Sequence, residues 1–178
     1  MEKVMRRTGM NTGIQYPPIE YFRFEEDFVE ENVRCIPMIV RFKMDAAGIK
    51  LKLAEWSRFT VEERIELAVK PCGTEQEAMF YNIYLSAIVQ KHTGNEPAAM
   101  EINKNPEWSI TNNIPQQVSE RAATCDYTLT LWQWENLTDL QRFALLKLCR
   151  PGHESKNFTG ALNEFGLKTR NCLRQTLG

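Results

Sequence analysis

One apolar-and-cap pattern occurs twice in this chain without a gap. It reads Leu51-x-Leu53-x-x-Trp56-x-x-Phe59-Thr60-x-x-x-Arg64 and then Leu129-x-Leu131-x-x-Trp134-x-x-Leu137-Thr138-x-x-x-Arg142. The offset of 78 residues also sets Phe80, Ile83, Tyr84 and Ala87 against Phe158, Ala161, Leu162 and Phe165. A shared apolar skeleton constrains architecture rather than chemistry. It predicts a compact all-α domain built from two related multi-helix units, about 34–92 and about 118–178, joined by a linker over about 93–117. Residues 1–20, with Gly9, Gly13 and Pro17-Pro18, lack sustained periodicity and read as an N-terminal arm.

Each copy ends in a capping box, Thr60-Val61-Glu62-Glu63 and Thr138-Asp139-Leu140-Gln141. In such a box the Thr hydroxyl and the Glu or Gln side chain satisfy orphan backbone amides reciprocally, so each Thr starts a helix. The first helix is expected over Val61 to Val69, burying Val61, Ile65 and Ala68 and stopping before Pro71. The second is expected over Asp139 to Cys149. A third box, Thr74-Glu75-Gln76-Glu77, opens a longer helix with Phe80, Ile83, Tyr84, Ala87 and Ile88 on one face, running to Lys91-His92 before Gly94. Residues 36–48 read two ways. Ile36, Met38, Val40, Phe42 and Met44 alternate like a strand, whereas Met38, Phe42 and Ala46 step by four, Pro37 suits a first helical position and Gly48 a helix end. The helix is favoured, because the segments downstream are helical. Further helices are expected over Val118 to Cys125 and Lys156 to Phe165, and Trp108 and Ile110 are expected to pin part of the Pro- and Asn-rich linker.

A net charge of −1 argues against a general nucleic-acid binder, so charge-based binding must be local. No apolar run approaches the roughly 18 residues of a membrane span, and the start Met1 to Arg7 lacks the apolar core of a secretory signal; the expectation is cytoplasmic, with reduced thiols. His92 and His153 have no neighbouring Cys pair, so no metal site and no cofactor are expected. Among the thiols, Cys35 is the best candidate for reactivity, since Arg34 and a following helix N-terminus would both favour its thiolate; the competing reading is a small buried side chain. Trp56 and Trp134 read as braces of equivalent corners rather than stacking platforms. Thr60, Arg64, Thr138 and Arg142 read as structural, the arginines in salt bridges or on exposed faces rather than in anion sites.

The clearest asymmetry is a change of sign. An acidic run from Glu25 to Glu31 precedes a segment in which Arg34, Arg41, Lys43, Lys50 and Lys52 oppose only Asp45. Arg34, Arg41, Lys43, Asp45 and Lys50 are therefore the candidate docking face for an acidic partner surface or an anion, against the alternative that the basic stretch neutralises the acidic run within the chain. No counterpart to Arg34–Gly48 is legible near Asn112–Asp126, which marks the basic segment as the unrepeated part.

At this stretch the chain resembles a known family. Phe24-Glu25-x-Asp27-Phe28, then Arg34-Cys35-Ile36-Pro37-Met38-x-Val40-Arg41-Phe42-Lys43-x-Asp45-x-x-Gly48-Ile49-Lys50-Leu51, continued by Trp56, Glu63-Arg64 and Pro71-Cys72, is similar to the conserved nitrate reductase-associated protein family. The resemblance implies a small soluble bacterial protein, often encoded near assimilatory nitrate reductase and molybdenum-cofactor genes, and it supplies no catalytic residues. The expectation is a non-enzymatic accessory protein of nitrate assimilation that binds nitrate reductase or its molybdenum-cofactor insertion machinery. A thiol-dependent enzyme of molybdenum-cofactor or nitrogen metabolism and a regulatory helical binding module are the alternatives.

Overall fold

The ambiguous segment is a helix, and the residues flanking it explain why. Pro37, at φ −58° and ψ 150°, occupies the cap position, one residue earlier than the first helical position expected for it, and α1 spans Met38–Ala47. Pro37 offers no capping side chain, so the carboxylate comes from elsewhere: Oε1 of buried Glu25 accepts the Met38 amide at 2.8 Å. An anion at a helix N-terminus also meets the positive end of the helix dipole. At the other end Gly48 turns left-handed, at φ 66°.

In this computed structural model residues 21–28, 36–151 and 156–167 are described. The expected arm 1–20, Arg34, Cys35, His153 and Cys172 lie outside them. A 3-10 helix over Arg23–Phe28 precedes α1. Then follow β1 (Ile49–Lys50), α2 (Leu53–Trp56), α3 (Val61–Val69), α4 (Glu75–Thr93) and β2 (Ala98–Ala99). A second 3-10 helix (Glu107–Ser109) leads into α5 (Gln116–Ala123), α6 (Leu131–Glu135), α7 (Asp139–Cys149) and α8 (Phe158–Glu164). The fold is thus mostly helical, departing from all-α only where β1 and β2 pair antiparallel, Ile49 with Ala99 and Lys50 with Ala98.

The core is organised by α1 and α7. Helix α1 packs on α4 and α7, while α7 also meets α5, α8 and the second 3-10 helix. Surrounded in this way, α7 buries nearly its whole circumference, including Leu140, Phe143, Ala144, Leu145 and Leu148. All three expected capping boxes form, with Thr60, Thr74 and Thr138 accepting the amides of Glu63, Glu77 and Gln141 at 3.2 Å each.

Two expected core faces are corrected. On α4 the buried residues are Tyr81, Leu85, Ile88 and Val89, whereas Phe80 and Ile83 are 51% and 57% exposed and Ala87 is also exposed. Both faces of α4 are apolar, so periodicity alone cannot choose between them. Tyr81 decides, because its ring fills the core and its hydroxyl reaches the Leu67 carbonyl at 3.1 Å. On α3 the buried residues are Leu67 and Ala68; Ile65 is half-buried and Val61, in the first turn beside the cap, is exposed.

Some backbone features flanking α1 recur around α5. Helices α1 and α5 both begin after a proline, Pro37 and Pro115, and the chain turns left-handed at Gly48 and again at Asp126, whose φ is 59°. These pairs keep the 78-residue spacing of Trp56 and Trp134, and Val40 and Val118 are both fully buried. At the same spacing other positions are unlike, half-buried Arg41 against exposed Ser119 and half-buried Asp45 against exposed Ala123. Beyond α7 the spacing fails, because α7 has 11 residues where α3 has 9. Phe80 and Ile83 are exposed, whereas Phe158 and Ala161, at the same sequence offset, are fully buried.

Helices α3 and α4 are tied by Glu63, whose carboxylate meets Lys91 Nζ at 2.8 Å and His92 Nε2 at 2.7 Å. Burial pushes the Glu63 carboxyl up, but hydrogen bonds from Lys91, the Thr60 backbone and His92 outweigh it and leave the group below its ordinary 4.5. A lowered folded-state value means that the stabilisation is complete above the unfolded value and disappears as pH falls through the folded one. Glu63→Gln is therefore expected to cost about 1 kcal/mol at pH 7 in urea unfolding, a difference that shrinks as pH falls below the ordinary carboxylate range.

Candidate functional site

A concavity follows from the Gly48 turn. By reversing the chain into β1, Gly48 brings β2 alongside, and its carbonyl accepts the Met100 amide at 2.9 Å. Residues 100–104 are thereby held as one wall of a groove. Farther along, Trp108 pins the same loop: its ring packs on Phe42 at 4.9 Å between centroids, and its carbonyl accepts Arg142 Nε at 2.7 Å. Fixed at both ends, the loop stands off α1, α7 and the start of α4 and leaves a groove of about 560 Å³.

The groove is apolar along part of its lining and charged around it. Ala46, Phe143 and Leu146 contribute apolar surface, and Ile102 on the loop is 50% exposed. Asp45 and Lys147 bridge α1 and α7 at 2.8 Å, with Arg150 and Lys104 adding cationic groups and Glu75, Glu101 and Glu107 anionic ones. Cys72 also lines the groove, but burial pushes its thiol up to about 11 despite the opposing influence of Lys43. Cys149 is pushed up to about 12, again by burial. Both are thiols rather than thiolates at neutral pH, which removes their nucleophilic form.

The model of a family described as conserved nitrate reductase-associated protein matches residues 21–165, a span that includes the whole groove. The chain belongs to this family. Comparison with curated proteins and with solved structures returned no match. The family's description associates its members with nitrate reductase. No helix among the described residues is long and apolar enough to cross a membrane, and no group of three His, Cys, Asp or Glu there could hold a metal ion.

Within this family member the basic segment is used largely inside the fold. Arg41 Nε donates to the Ile36 carbonyl at 2.7 Å, and Lys43 Nζ to the Ala68 carbonyl in the last turn of α3 at 2.5 Å. A cation there suits the negative end of a helix. Asp45 reaches the groove, and Lys50 is exposed on β1. The residues expected to line one docking face are thus divided between internal carbonyls and the groove.

The repeated motif places Trp56 and Trp134 at full burial, with the guanidinium carbons of Arg64 and Arg142 at 5.8 and 6.0 Å from the respective ring centroids. The two copies differ in what covers them. Trp134 Nε1 donates to the Ile110 carbonyl at 2.9 Å, while Trp56 Nε1 and Arg64 Nε are buried without a hydrogen-bond partner among the described residues. Sequence reasoning anticipated that Trp108 and Ile110 pin the linker, but not that Ile102, Lys104, Lys147 and Arg150 converge on one groove. These residues come from a loop and a helix that touch only in three dimensions.

Proposed function

We propose that the chain is a non-enzymatic accessory protein of nitrate assimilation that binds a segment of nitrate reductase, or of its molybdenum-cofactor insertion machinery, in the groove between α1, α7 and the 100–108 loop. The observation that carries this reading is the groove's composition, an apolar strip with exposed Ile102 inside a border of both charge signs. Interface cores are apolar and their rims polar, so such a groove suits an amphipathic partner segment. Family membership supplies the partner class. The raised thiols of Cys72 and Cys149 count against a thiol enzyme that acts through either of these two residues. A cytoplasmic location accords with such partners. Of the basic segment, Asp45 and Lys50 remain placed to contribute to docking.

Reading the domain as two related multi-helix units belongs to the same proposal. The 78-residue spacing of Pro37 and Pro115, Gly48 and Asp126, and Trp56 and Trp134 supports it.

Purified nitrate reductase passed over the immobilised protein tests the groove. Wild type is expected to retain it, and the Ile102→Glu/Lys104→Glu variant, whose altered side chains are exposed, to retain at least about tenfold less, a loss of about 1.4 kcal/mol. Circular dichroism should be unchanged. Equal retention by both proteins overturns the groove assignment. If wild type retains neither nitrate reductase nor cofactor-insertion proteins, the accessory reading itself is lost.

A further inference from the structure

Helix α4 buries one apolar face and leaves a second one in solvent. At about 100° per residue, Met79, Phe80, Ile83 and Ala87 fall within one arc of the helix opposite Tyr81, Leu85 and Ile88, and all four are exposed. An apolar stripe of this kind on a helix of about 28 Å marks an interaction surface.

Met79 and Ala87 lie four residues either side of Ile83. When a second copy of α4 is laid antiparallel with Ile83 on the dyad, Met79 of one copy faces Ala87 of the other, a bulky side chain against a small one. Gln76 then faces Gln90, and Glu75 faces Lys91. All of these residues are exposed. Lys91 holds Glu63 but remains 66% exposed at its side chain, with ammonium donors to spare. A parallel pairing would instead set Glu75 against Glu75 and Lys91 against Lys91, so charge selects the antiparallel arrangement. Self-complementarity of this form is what a two-fold contact requires.

We propose that the chain forms a two-fold symmetric dimer through the outer face of α4, with Ile83 at the axis, Met79 packed on Ala87 and Glu75 paired with Lys91. The contact meets the groove at Glu75, which lines its edge, while Ile83, Met79, Ala87 and Lys91 lie outside the groove lining. A stripe one helix wide falls short of the about 800 Å² per partner of a standard interface, so the expected affinity is micromolar rather than nanomolar.

Sedimentation of the full chain between about 1 and 100 μM tests this, since that range brackets a micromolar dissociation constant. Wild type is expected to pass from monomer to dimer. Ile83→Glu, which sets two carboxylates across the axis at an exposed position, is expected to abolish the dimer with an unchanged circular dichroism spectrum. Glu75→Lys is expected to weaken the dimer by setting lysine against lysine, and adding Lys91→Glu to restore it. A wild type that stays monomeric throughout, or a dimer that survives Ile83→Glu, overturns the proposal. So does a charge exchange that fails to restore association. Retention of nitrate reductase by monomeric Ile83→Glu, measured alongside, separates this contact from the groove.

Discussion

Replacing Arg142 by Met is expected to lower the free energy of unfolding by about 3–5 kcal/mol, whereas Arg64→Met, at the equivalent place in the first motif, is expected to cost about 1 kcal/mol. Arg142 is 4% exposed and spends its donors on three carbonyls, those of Trp108 at 2.7 Å, Trp134 at 3.3 Å and Leu137 at 2.5 Å, and on Asp139. Two of these carbonyls lie where α6 ends and the chain turns toward α7, a place where backbone acceptors lack helical partners. Removing the guanidinium leaves the Leu137 carbonyl without its donor, takes one donor from the Trp134 carbonyl, which also accepts the Leu137 amide at 3.2 Å, and frees the loop at Trp108. Arg64 makes a single comparable bond, Nη2 to the Ser57 carbonyl at 3.1 Å, and burial already disfavours its charge. Urea unfolding of both variants checks the contrast. Equal losses would show that the carbonyl clamp is not what sets Arg142 apart.

Gly48→Ala is expected to cost about 2–4 kcal/mol, against about 1 kcal/mol for Gly94→Ala. Both glycines are left-handed, at φ 66° and 73°, so both substitutions meet the same backbone penalty. Only at Gly48 would a Cβ collide, 2.9 Å from Ile102 Cγ1 and 3.1 Å from the Met100 carbonyl, while at Gly94 it meets nothing within 4 Å. Asp126 shows that a side chain at a left-handed turn is tolerated where space allows. The atoms in the way at Gly48 belong to the groove wall, so its variant should also retain less nitrate reductase, an effect Gly94→Ala should not share. Thermal unfolding and the retention assay read the two consequences separately.

What could be read from the residues was local. Capping boxes are written in four consecutive side chains, so the starts of α3, α4 and α7 follow from Thr60, Thr74 and Thr138. The choice of helix for residues 36–48 rested on the helical segments downstream, with Pro37 and Gly48, whose backbone preferences are intrinsic, as local support. The α4 face could not be assigned because Phe80 and Ile83 are as apolar as Tyr81 and Leu85, and only the surroundings of the helix decide which set is covered. The roles of Arg41 and Lys43 were hidden for a similar reason. Their acceptors are backbone carbonyls, which carry no sequence signal. The groove is further removed still, since it depends on the pairing of Lys50 with Ala98 and on the grip of Arg142 on Trp108.

Glu164, at the end of α8, accepts the amides of Arg23 at 2.9 Å and Phe24 at 3.2 Å, and Phe165 packs on Phe22 with ring centroids 4.9 Å apart. The contact closes a loop of about 140 residues, the kind that forms slowly because so much chain must be ordered first. For a protein emerging from the ribosome the order of synthesis then matters. The segment that brings Glu25 to the start of α1 waits for residue 164 before it is fastened, so the earliest of the described helices is among the last to be secured.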